Sequence, residues 1–201
     1  MSVRILMFVL ASVLASVASS SAQTPAGKPS ADKAPAAAAK PGQTSPGAGP
    51  VVVVETEKGI FEFETYPNEA PKTVAHILGL INKRFYNGQR VHRVVPGFVI
   101  QMGDPQTRDM TKEAAWGNGN SGTPVGAAEF SKLRTHVRGA VAMAHAGDAA
   151  KADAQFYVTL AAAHRLDPDY VVFGKVISGM DVVLKIAQTD RIVRVTVREA
   201  K

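Results

Sequence analysis

The block Val91-His92-Arg93-Val94-Val95-Pro96-Gly97-Phe98-Val99-Ile100-Gln101-Met102-Gly103-Asp104 constrains this chain more than any other stretch. Pro96-Gly97 is a turn pair, and the apolar runs 91–95 and 98–102 beside it predict two short strands folded against each other. Arg93 and Gln101 interrupt those runs. Burying a guanidinium costs several kcal/mol unless it is paired or lines a cleft. A hairpin of this composition therefore either lets Arg93 snorkel from an edge or sets it in the wall of a cleft.

Other segments read as short strands around two helices. Residues 51–57 and 60–65 predict a hairpin about Lys58-Gly59, with Phe61 and Phe63 alternating with Glu62 and Glu64. Asn68 is the expected cap of a helix with Pro71 in its first turn, and Val74, Ile77, Leu78 and Ile81 form its apolar stripe. Residues 139–144, 156–160 and 170–177 predict further strands, and 178–188 a second helix. Residues 191–198 predict a last strand with Val193, Val195 and Val197 inward. The stretch 104–128, rich in Gly, Asn, Thr and Pro, is a long loop of the kind that carries function. Short strands with two helices and no βαβ rhythm point to a closed antiparallel barrel.

The opening block resembles the signature of the cyclophilin-type peptidyl-prolyl isomerases, which runs His-Arg-hydrophobic-hydrophobic-Pro-Gly-Phe-hydrophobic-x-Gln-Gly-Gly-Asp. Met102 replaces the first of the paired glycines. Three later segments resemble the family in order: Arg138-Gly139-Ala140-Val141-Ala142-Met143-Ala144, Ala154-Gln155-Phe156-Tyr157-Val158, and Leu166-Asp167 followed by Tyr170-Val171-Val172-Phe173-Gly174-Lys175-Val176. The resemblance spans 51–201. It implies a mainly β fold, a closed eight-stranded antiparallel cyclophilin-like barrel capped by two helices.

It also implies a chemistry without acid, base, nucleophile or cofactor. Rotation about an amide faces a barrier of about 18–20 kcal/mol. A fixed donor near the proline nitrogen stabilises the twisted state over the planar one. By the resemblance Arg93 is that donor. Phe98, Val99, Phe156, Tyr157, Leu166 and Tyr170 fall at or beside the positions that hold the proline ring, Gln101 and Gln155 at those that contact substrate backbone, and Ala144 and His145 along the groove. Tyr170 stands for a histidine, Tyr157 for a phenylalanine and Ala154 for a serine, so both tyrosines are expected to add hydroxyls to the slot. Arg165 stands where many members place the tryptophan that binds cyclosporin.

The remaining composition bounds the setting. Arg4, the apolar run 5–17 and the small residues before Gln23 predict a secretory signal peptide over 1–22, with Ala18 as a second cut. That run is short of the about 20 residues of a membrane span, so no stable membrane insertion is expected. Residues 23–50, all Pro, Ala, Gly, Ser and polar groups, cannot bury enough apolar surface to order, and read as a disordered tether to the isomerase domain at 51–201. The expected setting is therefore export, to the periplasm or beyond, with tethering by an uncleaved signal as the alternative.

Arg4, Lys28, Lys33 and Lys40 against Asp32 supply half of the net charge of +6. With no basic run in the domain, nucleic acid is not an expected partner. Cysteine is absent, which removes disulfides, thiol catalysis and cysteine–zinc sites. His76, His92, His136, His145 and His164 show no metal-binding spacing, so neither metal nor cofactor is expected. Residues 117–122 spell a dinucleotide fingerprint, but in a loop rather than between strand and helix. The expected partners are proline-containing polypeptides, unfolded or folding exported proteins, met by a monomer. The rival reading, a module that binds proline segments without turnover, does not require Arg93, Phe98 and Gln101 together.

Overall fold

The computed structural model describes residues 49–198; the expected signal and tether lie outside them, except for Gly49 and Pro50. Those two are bonded to Thr65, Gly49 N to Thr65 O at 3.1 Å and Thr65 Oγ1 to Pro50 O at 2.8 Å. Eight strands form one antiparallel sheet: β1 (Val51–Thr56), β2 (Gly59–Thr65), β3 (Arg93–Val95), β4 (Val99–Met102), β5 (Ala140–Met143), β6 (Phe156–Thr159), β7 (Val172–Ser178) and β8 (Ile192–Arg198). Their spatial order is β3-β4-β6-β5-β7-β2-β1-β8. Helix α1 (Pro71–Asn82) packs on β8, and a single-turn helix α2 (Met180–Val183) lies by β2. Among the described residues no helix is long and apolar enough to cross a membrane.

The sheet curls but does not close, which corrects the expected barrel. Its end strands β3 and β8 share no ladder. The chain before each meets in an isolated bridge, Arg90–Arg191, with main-chain bonds such as Val91 N to Asp190 O and Thr189 N to Val91 O. Thr189 holds a positive φ of 74°, a turn conformation that cannot continue a strand. β3 is also only three residues long. The seam is therefore an irregular join.

Three further expectations shift. Asn68 does not cap α1: the cap position is Ala70, without a side-chain bond. The free N–H groups of Lys72 and Thr73 are met instead by the Glu129 carboxylate at 3.0 and 2.9 Å, an acceptor with the charge a helix start favours. The second helix shrinks from 178–188 to one turn. Gly179 enters it with φ 76°, and after Leu184 the bonds tighten to i→i−3, Lys185 N to Val182 O and Ile186 N to Val183 O. On β8 the register slips between Glu55–Arg194 and Thr56–Ile192. This bulge turns Val193 to solvent, 38 % exposed, and buries Ile192 with Val195.

Two apolar clusters occupy opposite faces of the strands. The larger joins Val52, Val54, Phe61, Phe63, Val74, Ile77, Ile100, Met102, Phe156 and Phe173. Met102, the departure from the family pattern, is fully buried there. Gly103, which follows it, has φ 109°, and a Cβ would lie 2.3 Å from Ala154 O; no other residue fits. The smaller cluster, Tyr66, Val99, Ala140, Ala142, Tyr157 and Val172, carries Phe98, Ala144, Leu166 and Tyr170 on its outer side.

Candidate active site

Strand alternation builds the site. Register pairs Arg93 with Gln101, Gln101 with Tyr157, and Tyr157 with Ala142, so one row crosses four strands and its side chains share a face. Beside that row Val99 faces the same way, while Ile100 and Met102 point to the main core. Phe98 follows the Pro96-Gly97 turn, where Gly97 has φ 69° and the Phe98 N–H closes onto Val95 O. The result is a pocket of about 220 Å³ lined by Arg93, Phe98, Val99, Gln101, Ala144, His145, Tyr157, Leu166 and Tyr170.

Two residues singled out in the sequence lie elsewhere. Phe156 alternates with Tyr157 and so faces inward, its ring within 6.1 Å of Phe63 and Phe173 and 5.5 Å of Tyr86. Its expected place at the substrate is corrected: it is core. Gln155 is half-buried beside Gln101 and does not line the pocket. It accepts from Gln101 Nε2 at 3.0 Å and donates to the carbonyls of Gly117 and Gly119, both at 2.8 Å.

A chain of amides thus runs from the loop to the arginine. Arg93 Nη1 donates to Gln101 Oε1 at 3.3 Å, and Gln101 is in turn held by Gln155. The loop end is anchored by Asp104, which is fully buried. Its carboxylate accepts from the N–H groups of Gln106, Gly117 and Gly119 at 2.7, 2.6 and 3.0 Å. A Cβ on Gly119 would sit 2.0 Å from that carboxylate. Gly119 thus has no room for a side chain, and Gly117 holds φ 90°, as the two close a loop around an aspartate. Arg93 itself is exposed and forms no ion pair among the described residues. Its charge is unneutralised, and most of its donors are available to a guest.

The rest of the rim is aromatic. His145 stacks on Tyr170 with ring centroids 4.5 Å apart, and its Nε2 donates to Asp169 O at 2.7 Å. Tyr170 meets Tyr157 edge-on at 5.9 Å. The Ala144 N–H is taken by Gln155 O. Arg165 lies with its guanidinium 4.3 Å above the Phe98 ring, so the position turns toward the pocket mouth rather than away from it.

The Tyr157 hydroxyl is not in the slot, contrary to expectation. It bonds His136 Nε2 at 3.0 Å behind the pocket wall. Burial pushes its ionisation far above the ordinary tyrosine range, with Tyr170 and Asp167 adding to it, so the phenol stays neutral. His136 and Asp167 were not singled out as site residues, since nothing local marks a histidine 21 residues from its tyrosine. What the site offers is an apolar pocket with the Arg93 guanidinium and the Gln101 amide in its wall and the Arg165 guanidinium at its mouth.

Comparison with known proteins identifies the family of the chain. Residues 51–201 match the family model for cyclophilin type peptidyl-prolyl cis-trans isomerase/CLD. A probable peptidyl-prolyl cis-trans isomerase of Brucella abortus is 41% identical over 149 residues, 72% of this chain and 76% of the relative. A peptidyl-prolyl cis-trans isomerase of Acinetobacter baylyi is 38% identical over 145 residues, 70% of this chain and 73% of its own. The fold matches a Cryptosporidium parvum cyclophilin type isomerase with TM-score 0.67, at 23% identity, over 76% of this chain and 99% of that one. With a family model over 51–201, relatives at 41% and 38% identity and the fold in agreement, the chain belongs to the cyclophilin-type peptidyl-prolyl cis-trans isomerases.

Proposed function

We propose that the protein turns X–Pro bonds of exported and folding polypeptides, with Arg93 as donor to the proline nitrogen of the twisted amide. In the planar amide that lone pair is spent in resonance and accepts poorly. As the bond rotates the nitrogen becomes pyramidal and accepts well. A guanidinium fixed beside it therefore binds the transition state better than either ground state, which is the requirement for catalysis. The observation that carries this reading is Arg93 itself, an unneutralised cation on the rim of an apolar slot, steadied by a neutral amide. A carboxylate partner would have damped its charge; Gln101 orients it and leaves the charge intact.

Phe98, Val99, Tyr157, Leu166 and Tyr170 hold the proline ring while the preceding carbonyl swings. Spontaneous exchange takes tens of seconds or more, so the assay is direct. A proline peptide jumped from high cis content should relax faster with sub-micromolar protein, without metal or nucleotide. Relaxation at the spontaneous rate with micromolar folded protein overturns the reading.

Export rests on residues 1–22. Cleavage is expected between Ala22 and Gln23, delivering a monomeric domain on its tether to the periplasm or beyond. N-terminal sequencing of protein from the producing cell tests this, and an intact Met1 in a cytosolic fraction contradicts it.

A further inference from the structure

The pocket floor rests on a buried hydrogen-bond chain that the isomerase reading leaves unused. Tyr157, on β6, turns its ring to the pocket and its hydroxyl to His136 Nε2, 3.0 Å away. His136 Nδ1 lies 2.7 Å from Asp167 Oδ1, and the His136 backbone N–H donates to the same oxygen at 2.7 Å. His136 is fully buried and Tyr157 is 5% exposed. Their rings run nearly parallel, 18° apart.

The proton positions follow from the groups. Burial of Asp167 favours its acid form, but bonds from the His136 N–H, the His136 ring and His164 outweigh this and hold its carboxyl below the ordinary range. An ionised carboxylate only accepts, so Nδ1 carries the imidazole proton. Burial lowers the proton affinity of His136, against the opposing pull of Asp167, so the ring is neutral and Nε2 is a bare acceptor. The phenol must then donate to it. Asp167 sets the tautomer, the tautomer sets the direction of the Tyr157 O–H, and that direction keeps a polar group out of the proline slot.

We propose that His136 is a positioning residue for substrate binding, which with Asp167 draws the Tyr157 hydroxyl away from the pocket and locks the phenol ring as its apolar floor. This rests on the reading of the pocket as the proline site. It goes beyond that reading in assigning work to two residues that do not line the pocket, and in tying them to the tyrosine at 157. With His136 removed, the hydroxyl has no buried acceptor. It must then either stay unsatisfied or turn toward the pocket, where it brings water to the face meant for the proline ring.

The test is a double-substitution cycle read as KM against kcat. In His136→Leu, verified as fully folded by circular dichroism, KM for a proline peptide should rise at least tenfold while kcat changes less than threefold. Adding Tyr157→Phe, which deletes the hydroxyl, should bring the double variant's KM to within threefold of Tyr157→Phe alone, the reference for the cycle. A folded His136→Leu with native KM overturns the proposal, and so does a KM defect that persists in the double variant, since that would be general loss of packing. If His136→Leu does not fold, His136→Phe, a ring that fills the space and offers no acceptor, runs the same cycle. Arg93→Ala, assayed in parallel, separates the two levels. Full activity there removes the reading of the pocket and the positioning role with it, whereas an inactive Arg93→Ala beside a native-like His136→Leu removes the positioning role alone.

Discussion

Arg93 and Arg134 are the same residue put to opposite uses. Arg134 is 7% exposed, holds Glu69 Oε1 through Nε at 3.0 Å and Nη2 at 2.5 Å, and lies 3.8 Å from the Tyr66 ring centroid. Its charge is matched by a carboxylate and its face by an aromatic. Arg93 is exposed and, among the described residues, has no carboxylate partner and donates to the neutral Gln101 amide at 3.3 Å. A buried charge has to be neutralised where it sits, because desolvation is otherwise unrecovered. A charge intended for a guest has to stay hydrated and unpaired until the guest arrives. Neutralisation, more than burial alone, separates the structural arginine from the one proposed to act.

The widest test of that contrast is on activity. Arg93→Ala is expected to lose about 10²–10³ in kcat/KM, as removal of a single transition-state donor does, with an unchanged unfolding midpoint. Arg93→Lys should recover little of it, because an ammonium does not hold a planar fork in one direction. A folded Arg93→Ala with near-full activity in the peptide assay would break the comparison at its centre.

Arg134→Ala should do the reverse. Breaking a buried pair leaves Glu69 without its partner and is expected to cost about 3–5 kcal/mol of stability, read by denaturant titration. Per folded molecule, kcat/KM should stay within about threefold of the unaltered protein, a margin of about 0.6 kcal/mol. Loss of activity without loss of stability would show that the two arginines are not separable in this way.

Arg165 sharpens the contrast, being exposed yet seated on the aromatic edge of the pocket, its guanidinium 4.3 Å above Phe98. Cyclosporin should inhibit the unaltered protein weakly, and Arg165→Trp should strengthen inhibition some tens of times, since an indole at such a contact is worth about 2 kcal/mol. An inhibition constant unmoved by the substitution would mean that the tryptophan site of the family lies elsewhere in this chain.

The smallest effect is on pH, and it extends the rule from arginines to histidines. His92 and His136 are buried, and burial lowers both below the ordinary 6.5, with nearby Asp104 and Asp167 opposing it. The unfolded chain therefore takes up protons first. Stability should be full above about pH 6.5, fall as pH drops toward the folded-state values, and then level off as far as these two groups are concerned. Denaturant midpoints between pH 7.5 and 5 read this directly. His136→Leu should reduce the slope, and a slope unchanged in that variant would show that His136 does not contribute.

Much of the site was legible because its residues are local to patterns with a short period. The turn at Pro96-Gly97 and the alternation on either side place Arg93, Val99 and Gln101 on one face, and the ordered segments supply Tyr157 and Leu166. The same alternation could have removed Phe156, since neighbours on a strand cannot both face one pocket. The motif it belongs to obscured that. The second helix and the inward set on β8 were misread for a related reason. A bulge or a left-handed residue shifts the period by one, and neither Val193 nor Gly179 signals this in its own identity.

Residue order and period were thus enough for the strand count, the core faces and the arginine hairpin, while the family resemblance supplied most of the pocket wall. They act through local backbone geometry, and local geometry repeats along a chain in a way that can be read from it. Partners distant in the chain were settled only on folding. Glu129 caps a helix 56 residues away, Asp104 draws a loop around itself, the sheet stops short of closing, and Asp167 reaches Tyr157 through His136. Each is a polar group that must find a partner once buried. Which partner it finds depends on what the packed core brings within about 3 Å, a distance that no spacing along the chain encodes.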